Sequence, residues 1–328
     1  MTLVLLNYQS GDYVERLVES LSRQTCPDWE LIVVDNGSAD ESLERIRHGL
    51  TEWAIEAREW VYLPENRHFA AGMNAGIERA QGRVVVALNS DVYLDPGYID
   101  VLCRAWDEHA DERVCAFVGT QYAWVWPADR LSERVQSRGA GLLRRIGMGS
   151  WTPSLGAHKL LGPPGCAPAF TRQALEAVRY ANGDYYDARF VAFGEDVDLL
   201  LRMRTAGFRA VPLPGLRYWH IGSASYSAGE RSFAAKSPEV MARTFANRWR
   251  VWRQIPSSSE RLLNLAPILV MNLLRYLQVL VHRGPAVGAQ VLRQDVLFWQ
   301  QIRAEERRWY AASPGDLGLY CGWIKPGL

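Results

Sequence analysis

Three short stretches carry the side chains that could do chemistry. Asn89-Ser90-Asp91 sets an amide and a carboxylate two residues apart, directly after the apolar run 83–88. In a turn, such a pair can direct both oxygens at one hard cation or at its water shell. Glu195-Asp196-x-Asp198 places three acids within four residues at the start of a helical pattern. An acid held there can take a proton from a hydroxyl. Helix dipoles also favour acids at N-termini. That accounts for one acid, but less readily for three beside the aromatic-rich run 190–193. His220, next to Trp219, could offer a neutral ring nitrogen to the same cation, although a histidine beside a tryptophan is more often structural.

These residues need elements to position them. Residues 2–6, 30–34, 60–63 and 83–88 read as buried strands, because each is a nearly continuous apolar run. Helical periodicity separates them, over 12–23, 40–48 and 70–80. The alternation predicts an α/β fold, with a mostly parallel sheet flanked by helices. Such sheets bind ligands beyond the carboxyl ends of their strands. Asn7, Asp35, Asn66 and Asp91 follow four strands in a row. Each alone is an ordinary turn or cap residue; together they mark a site.

Further along, helices are expected over 97–109, 172–179 and 195–205, and strands over 114–119 and 208–212. The stretch 120–160 is rich in Trp, Arg and Gly and receives no element. The Ser-, Ala- and Gly-rich stretch 222–239 reads as a mobile loop, and the remainder is helical by pattern. The expected organisation is one α/β unit over 1–240, with a nucleotide-binding half (1–95) and an acceptor and catalytic half (96–240). A helical region, 241–328, follows.

Composition narrows the classes. The chain has 328 residues, 48% hydrophobic and 22% charged, which fits a globular protein. A net charge of +1 gives no reason to expect a nucleic-acid partner. The five cysteines are scattered, which fits reduced thiols. A strand pattern starts at residue 2 with no leader ahead of it, so the expected location is cytoplasmic.

A cation site facing a carboxylate suits transfer from a nucleotide-linked donor. The diphosphate leaving group needs a cation and the acceptor hydroxyl needs a base. The ordered motifs resemble glycosyltransferase family 2. They are Asn7-Tyr8, Val33-Val34-Asp35-Asn36-Gly37-Ser38-x-Asp40, Glu65-Asn66-Arg67-x-Phe69-Ala70, Gly72-x-Asn74-x-Gly76, Leu88-Asn89-x-Asp91, Gly194-Glu195-Asp196-Val197-Asp198 and His220-x-Gly222 with Ser225 beyond. The likeness spans roughly residues 1–255, including Arg243-x-x-x-Asn247-Arg248, and leans toward the rhamnosyltransferase-like branch.

That resemblance implies a GT-A fold and an inverting mechanism. By it, Asn7, Asp35, Asn36, Asn66, Phe69, Asn74, Asn89 and Ser90 would lie along the nucleotide, with Asp35 near the base. Gly165 and Cys166 would line the sugar pocket. Asp91 and His220 would ligate Mg²⁺ or Mn²⁺. Asp196 would be the general base, with Glu195 and Asp198 orienting it or the sugar. The implied co-substrate is a dTDP- or UDP-linked sugar, such as dTDP-rhamnose. The implied acceptor is a saccharide, a lipid-linked saccharide or a glycosylated metabolite. The chain departs from the pattern at Asn89, where an acid is usual, at His68, and in the proline-rich 163–168. Two other readings are a nucleotidyltransferase, which normally shows a basic phosphate loop that residues 7–12 lack, and a non-catalytic nucleotide-sugar-binding relative.

Residues 262–283 are apolar enough to suggest a membrane span. However, Asn264, Asn272, Arg275, Gln278 and His282 share one helical sector, and Arg275 and Pro267 would be costly inside a bilayer. An amphipathic helix is expected instead. It could pack on the protein, pair with a second subunit as a homodimer, or lie on the inner face of the cell membrane. A following helix, 287–309, carries Arg303, Arg307 and Arg308.

Overall fold

The computed structural model describes residues 1–304 except 111, 144–147, 152–159, 192, 223–235 and 255–257. The first half alternates as expected: β1 (Thr2–Asn7), α1 (Tyr13–Ser22), β2 (Glu30–Asp35), α2 (Ser42–Glu52), β3 (Ala57–Tyr62), α3 (His68–Ile77) and β4 (Val84–Asn89). Strands β3, β2, β1 and β4 pair in parallel. Register aligns Asn7 with Asp35 and Leu6 with Asn89, so three polar strand ends stand side by side.

Beyond β4 the sheet becomes mixed. The remaining elements are β5 (Val92–Leu94), α4 (Tyr98–His109), β6 (Val114–Val125), β7 (Arg130–Ser137), β8 (Ala140–Leu143), β9 (Met148–Trp151), β10 (Leu160–Gly162), β11 (Ala169–Thr171), α5 (Arg172–Ala177), α6 (Glu195–Thr205), β12 (Arg209–His220), α7 (Pro238–Gln254) and α8 (Ser258–Ala304). The main sheet runs β3-β2-β1-β4-β11-β6-β12-β5, with β7 added beside β6; β10, β8 and β9 form a small second sheet. The main sheet continues past residue 95, because β12 returns to pair with β5.

Helices cover both faces. Leu17, Leu21, Ile46 and Leu102, from α1, α2 and α4, pack on one side. Met73, Leu175 and Leu200, from α3, α5 and α6, pack on the other. Burying a side chain of that size contributes roughly 1.5–3 kcal/mol, so each helix is held by its apolar stripe.

The structure extends the sequence reading most between 114 and 162. Strand β6 does not stop near 119; it continues to Val125 with Thr120 and Gln121 buried. Strand β7 is exposed or half-buried along its length until Ser137, which is buried. The expected loop 222–239 lies mostly outside the described residues, as do Ser225, Cys321, Arg307 and Arg308. Helix α8 is broken at Gly284, whose φ is 81°. Its two arms touch: a Cβ on Gly288 would stand 2.3 Å from Leu280.

Candidate active site

The carboxyl ends of β1 and β2 are tied together before any ligand arrives. The Asn7 amide donates to Asp35 Oδ1 at 2.9 Å, to Ser38 Oγ at 3.1 Å and to Ser42 Oγ at 3.0 Å. Its oxygen accepts from Ser10. Ser38 N donates to Asp35 Oδ2. Asn36 bridges to the next strand end. Its amide donates to Asn66 Oδ1 and His68 O, and its oxygen accepts from Arg67 N. Phe69 is partly buried and meets Tyr186 edge-on at 5.4 Å.

Two of the expected nucleotide contacts have their side chains engaged within the protein. Asn7 is 0% exposed, so it supports Asp35 from beneath. Asn74 is also buried, and its amide is engaged by backbone. It donates to Tyr186 O and accepts from Tyr185 N and Tyr186 N. Asn74 therefore docks the 185–186 segment onto α3. A buried amide used this way satisfies backbone groups that would otherwise be costly to bury.

Asp91 and His220 meet because β5 and β12 pair antiparallel, with His220 opposite Val92. Asp91 Oδ2 lies 3.1 Å from His220 Nε2. Burial alone would lower the imidazole pKa, but the Asp91 charge reverses this and holds it well above the usual value. The other ring nitrogen, Nδ1, faces the Gln121 amide at 3.1 Å. Gln121 also accepts from Cys166 Sγ at 3.5 Å and donates to Gln136 at 2.5 Å. A carboxamide presents oxygen or nitrogen on a half-turn. A protonated ring, or one whose Nε2 lone pair serves a metal, needs the oxygen at Nδ1. Tyr13 shares a hydrogen bond with Ser90 beside Asp91, and burial raises its pKa, so the phenol stays neutral. Asn89 N donates to Cys166 O at 2.9 Å, which pins the pocket loop to the end of β4.

Across that loop stands Asp196. A Cβ on Gly165 would lie 3.1 Å from Asp196 Oδ2, so glycine gives the carboxylate its room. Gly194 caps α6 in the left-handed region, with φ 103°, and this turns the chain abruptly into Glu195-Asp196. Burial pushes Asp196 up to about 6 against the pull of the Val197 N–H. Burial, reinforced by the Asp196 charge, pushes Glu195 up to about 8. Burial thus disfavours two charges side by side and favours the pair holding a proton. Glu195 Oε2 is buried with no hydrogen-bond partner among the described residues.

Asp198 is not available to orient a ligand directly. It is 0% exposed and pairs with Arg202 Nε at 2.9 Å one turn on. Arg202 in turn donates to Val178 O and Tyr185 O. The third acid of the motif is thus an anchor for α6. Gln121, Gln136, Tyr13 and Arg202 were not singled out from sequence. Only Arg202 left a signal there, its i, i+4 spacing from Asp198.

The residues present fit a divalent cation. Cis ligands of an octahedral ion at about 2.1 Å stand about 3.0 Å apart, close to the Asp91–His220 spacing. Among the described residues no group of three or more His, Cys, Asp and Glu could hold an ion by itself. Donor phosphate oxygens and water would complete the shell.

Known proteins resemble this chain in sequence over its first half and in fold. Residues 2–155 match the family model described as Glycosyl transferase family 2. The putative teichuronic acid biosynthesis glycosyltransferase TuaG of Bacillus subtilis is 37% identical over 123 residues, covering 38% of this chain and 46% of that protein. The chondroitin synthase of Pasteurella multocida is 30% identical over 97 residues, covering 30% of this chain and 10% of that protein. The chain spans less than half the length of the curated relatives it matches. Among solved structures, the mannosyltransferase PcManGT from Pyrobaculum calidifontis in complex with GDP-Man and Mn²⁺ superposes with TM-score 0.54 at 18% identity, covering 92% of this chain and 81% of that one. S. aureus TarS 1-349 in complex with UDP superposes with TM-score 0.51 at 15% identity, covering 95% and 94%. The chain has the GT-A fold, and its residues 2–155 are similar to glycosyl transferase family 2.

Proposed function

We propose that the chain is an inverting glycosyltransferase that moves a sugar from a nucleotide-diphosphate donor onto an acceptor hydroxyl. One observation carries this reading: the Asp91–His220 pair is linked to Asp196 through the two adjacent residues Gly165 and Cys166. Asp91 and His220 would hold Mg²⁺ or Mn²⁺, and an ion bound there would offset the charge that develops on the leaving diphosphate. Asp35, Asn36 and Asn66 shape the nucleotide end. Asp196 accepts the proton of the acceptor hydroxyl while its oxygen bonds the anomeric carbon. The bond to the diphosphate breaks in the same displacement, so the configuration at that carbon inverts. Protonated Glu195 can donate a hydrogen bond to the sugar or acceptor.

The donor on this reading is dTDP- or UDP-linked, with dTDP-rhamnose the first candidate because Asn89-x-Asp91 resembles the rhamnosyltransferase-like branch. The acceptor is a saccharide or lipid-linked saccharide, met in the cytoplasm or at the inner face of the cell membrane. The test uses the full chain with a panel of dTDP-, UDP- and GDP-sugars, with and without Mn²⁺ or Mg²⁺. Thermal shift and release of nucleotide diphosphate are both measured. One donor is expected to raise Tm in a metal-dependent way and to be turned over. If no donor does either, the reading fails.

A further inference from the structure

Helix α8 turns an apolar stripe outward. On its first arm Leu262, Leu269, Leu273, Leu277 and Val281 are each at least 45% exposed. At about 100° per residue these occupy roughly 120° of the helix circumference. Leu292 and Val296 continue the exposed surface on the second arm. Nothing among the described residues covers them.

The stretch Leu265–Gln300 passes for a membrane span by length and composition, an 18-residue window of it having mean hydropathy 1.4. Its packing argues against crossing. Val279 of the first arm and Val291 of the second both bury against Met241, Ala242 and Phe245 of α7. The break at Gly284 folds one arm onto the other. Both arms are therefore clamped to a helix that itself packs on the catalytic unit, where Asn247 holds Phe193 O just ahead of Glu195. Only the outer face remains for a partner.

Charge selects the partner. From Arg261 to Gln294 the chain has no acidic residue, while Arg283 and Arg293 are exposed cations. Asp295, which ends the run, has its Oδ1 buried. A second copy seated on this face by two-fold symmetry would bring cations against cations. An anionic lipid surface pairs with them and accepts the leucines at the headgroup–acyl boundary.

We propose that the outer face of α8 docks the enzyme in the plane of an anionic phospholipid bilayer, without spanning it. This surface stands apart from the transfer chemistry, so either reading can fail alone. The test is co-sedimentation of the full chain with vesicles of phosphatidylcholine alone or with 30% phosphatidylglycerol, at low salt and at 0.5 M NaCl. Binding is expected only to the anionic vesicles and only at low salt. The triple variant Leu273→Gln/Leu277→Gln/Val281→Gln should abolish it, and Arg283→Glu/Arg293→Glu should weaken partitioning roughly tenfold or more. All substituted side chains are exposed, so unchanged circular dichroism and thermal melting are expected. No binding to anionic vesicles, or equal binding by the leucine variant, overturns the proposal. So does a wild-type dimer in light scattering that the leucine variant converts to monomer without any vesicle binding.

Discussion

Asp91 Oδ2 and His220 Nε2 stand 3.1 Å apart at the paired ends of β5 and β12, and Gln121 backs the far side of the imidazole. The first prediction follows from that order. Asp91→Ala should reduce nucleotide affinity to the level measured without metal. Gln121→Leu keeps both ligands but removes the carboxamide that faces Nδ1 and orients the ring. It should weaken Mn²⁺ binding roughly 10–100-fold. Free Mn²⁺ counted by electron paramagnetic resonance checks both variants. Equal affinity with and without metal in the wild type would refute the cation assignment.

Asp196 is expected to act as a base only when ionised. Its pKa is raised to about 6, so kcat/KM should fall as pH drops through about 6 and level off above it. Asp196→Asn should lower kcat about 10²–10⁴-fold and leave donor affinity nearly unchanged. The check is a pH–rate profile with calorimetric donor binding alongside. Near-normal turnover in the variant would move the base elsewhere.

Glu195 makes a prediction about stability. Its folded pKa, about 8, lies above the ordinary carboxyl value of 4.5. The folded state thus binds the proton more tightly than the unfolded chain does. Its stability contribution is fullest below the unfolded value and is lost as pH rises toward 8. Glu195→Gln keeps the shape without the charge. It should raise Tm at pH 8.5 and leave it nearly unchanged at pH 4.5, relative to wild type. Differential scanning calorimetry at both pH values decides it; a lower Tm at pH 8.5 would mean that the carboxylate is paired.

Much of the frame was legible in the sequence because parallel, doubly covered strands are apolar throughout. Strands β1, β2 and β4 and their polar ends could be read that way. The roles of those polar ends could not. An asparagine looks the same whether its amide meets a ligand or the protein's own groups, and Asn7 (to side chains) and Asn74 (to backbone) do the second. Strand β6 was cut short at 119, where the stretch rich in Trp, Arg and Gly begins. Gln121 is buried there with its amide satisfied by His220, Gln136 and Cys166, all brought in by segments later in the chain. Asp198 was grouped with Glu195 and Asp196 by proximity, whereas its charge is committed to Arg202.

The pairing of β5 with β12 also sets an order of assembly. Val92 lies early in the chain and His220 late, and they come into register only when the sheet closes. Contacts of such wide sequence separation form slowly, because a long loop must be ordered before they are gained. The nascent chain can therefore complete the nucleotide end while it still lacks the histidine. A partly made protein could shelter a nucleotide without holding the ion firmly, and competence for transfer would arrive abruptly with the docking of one strand.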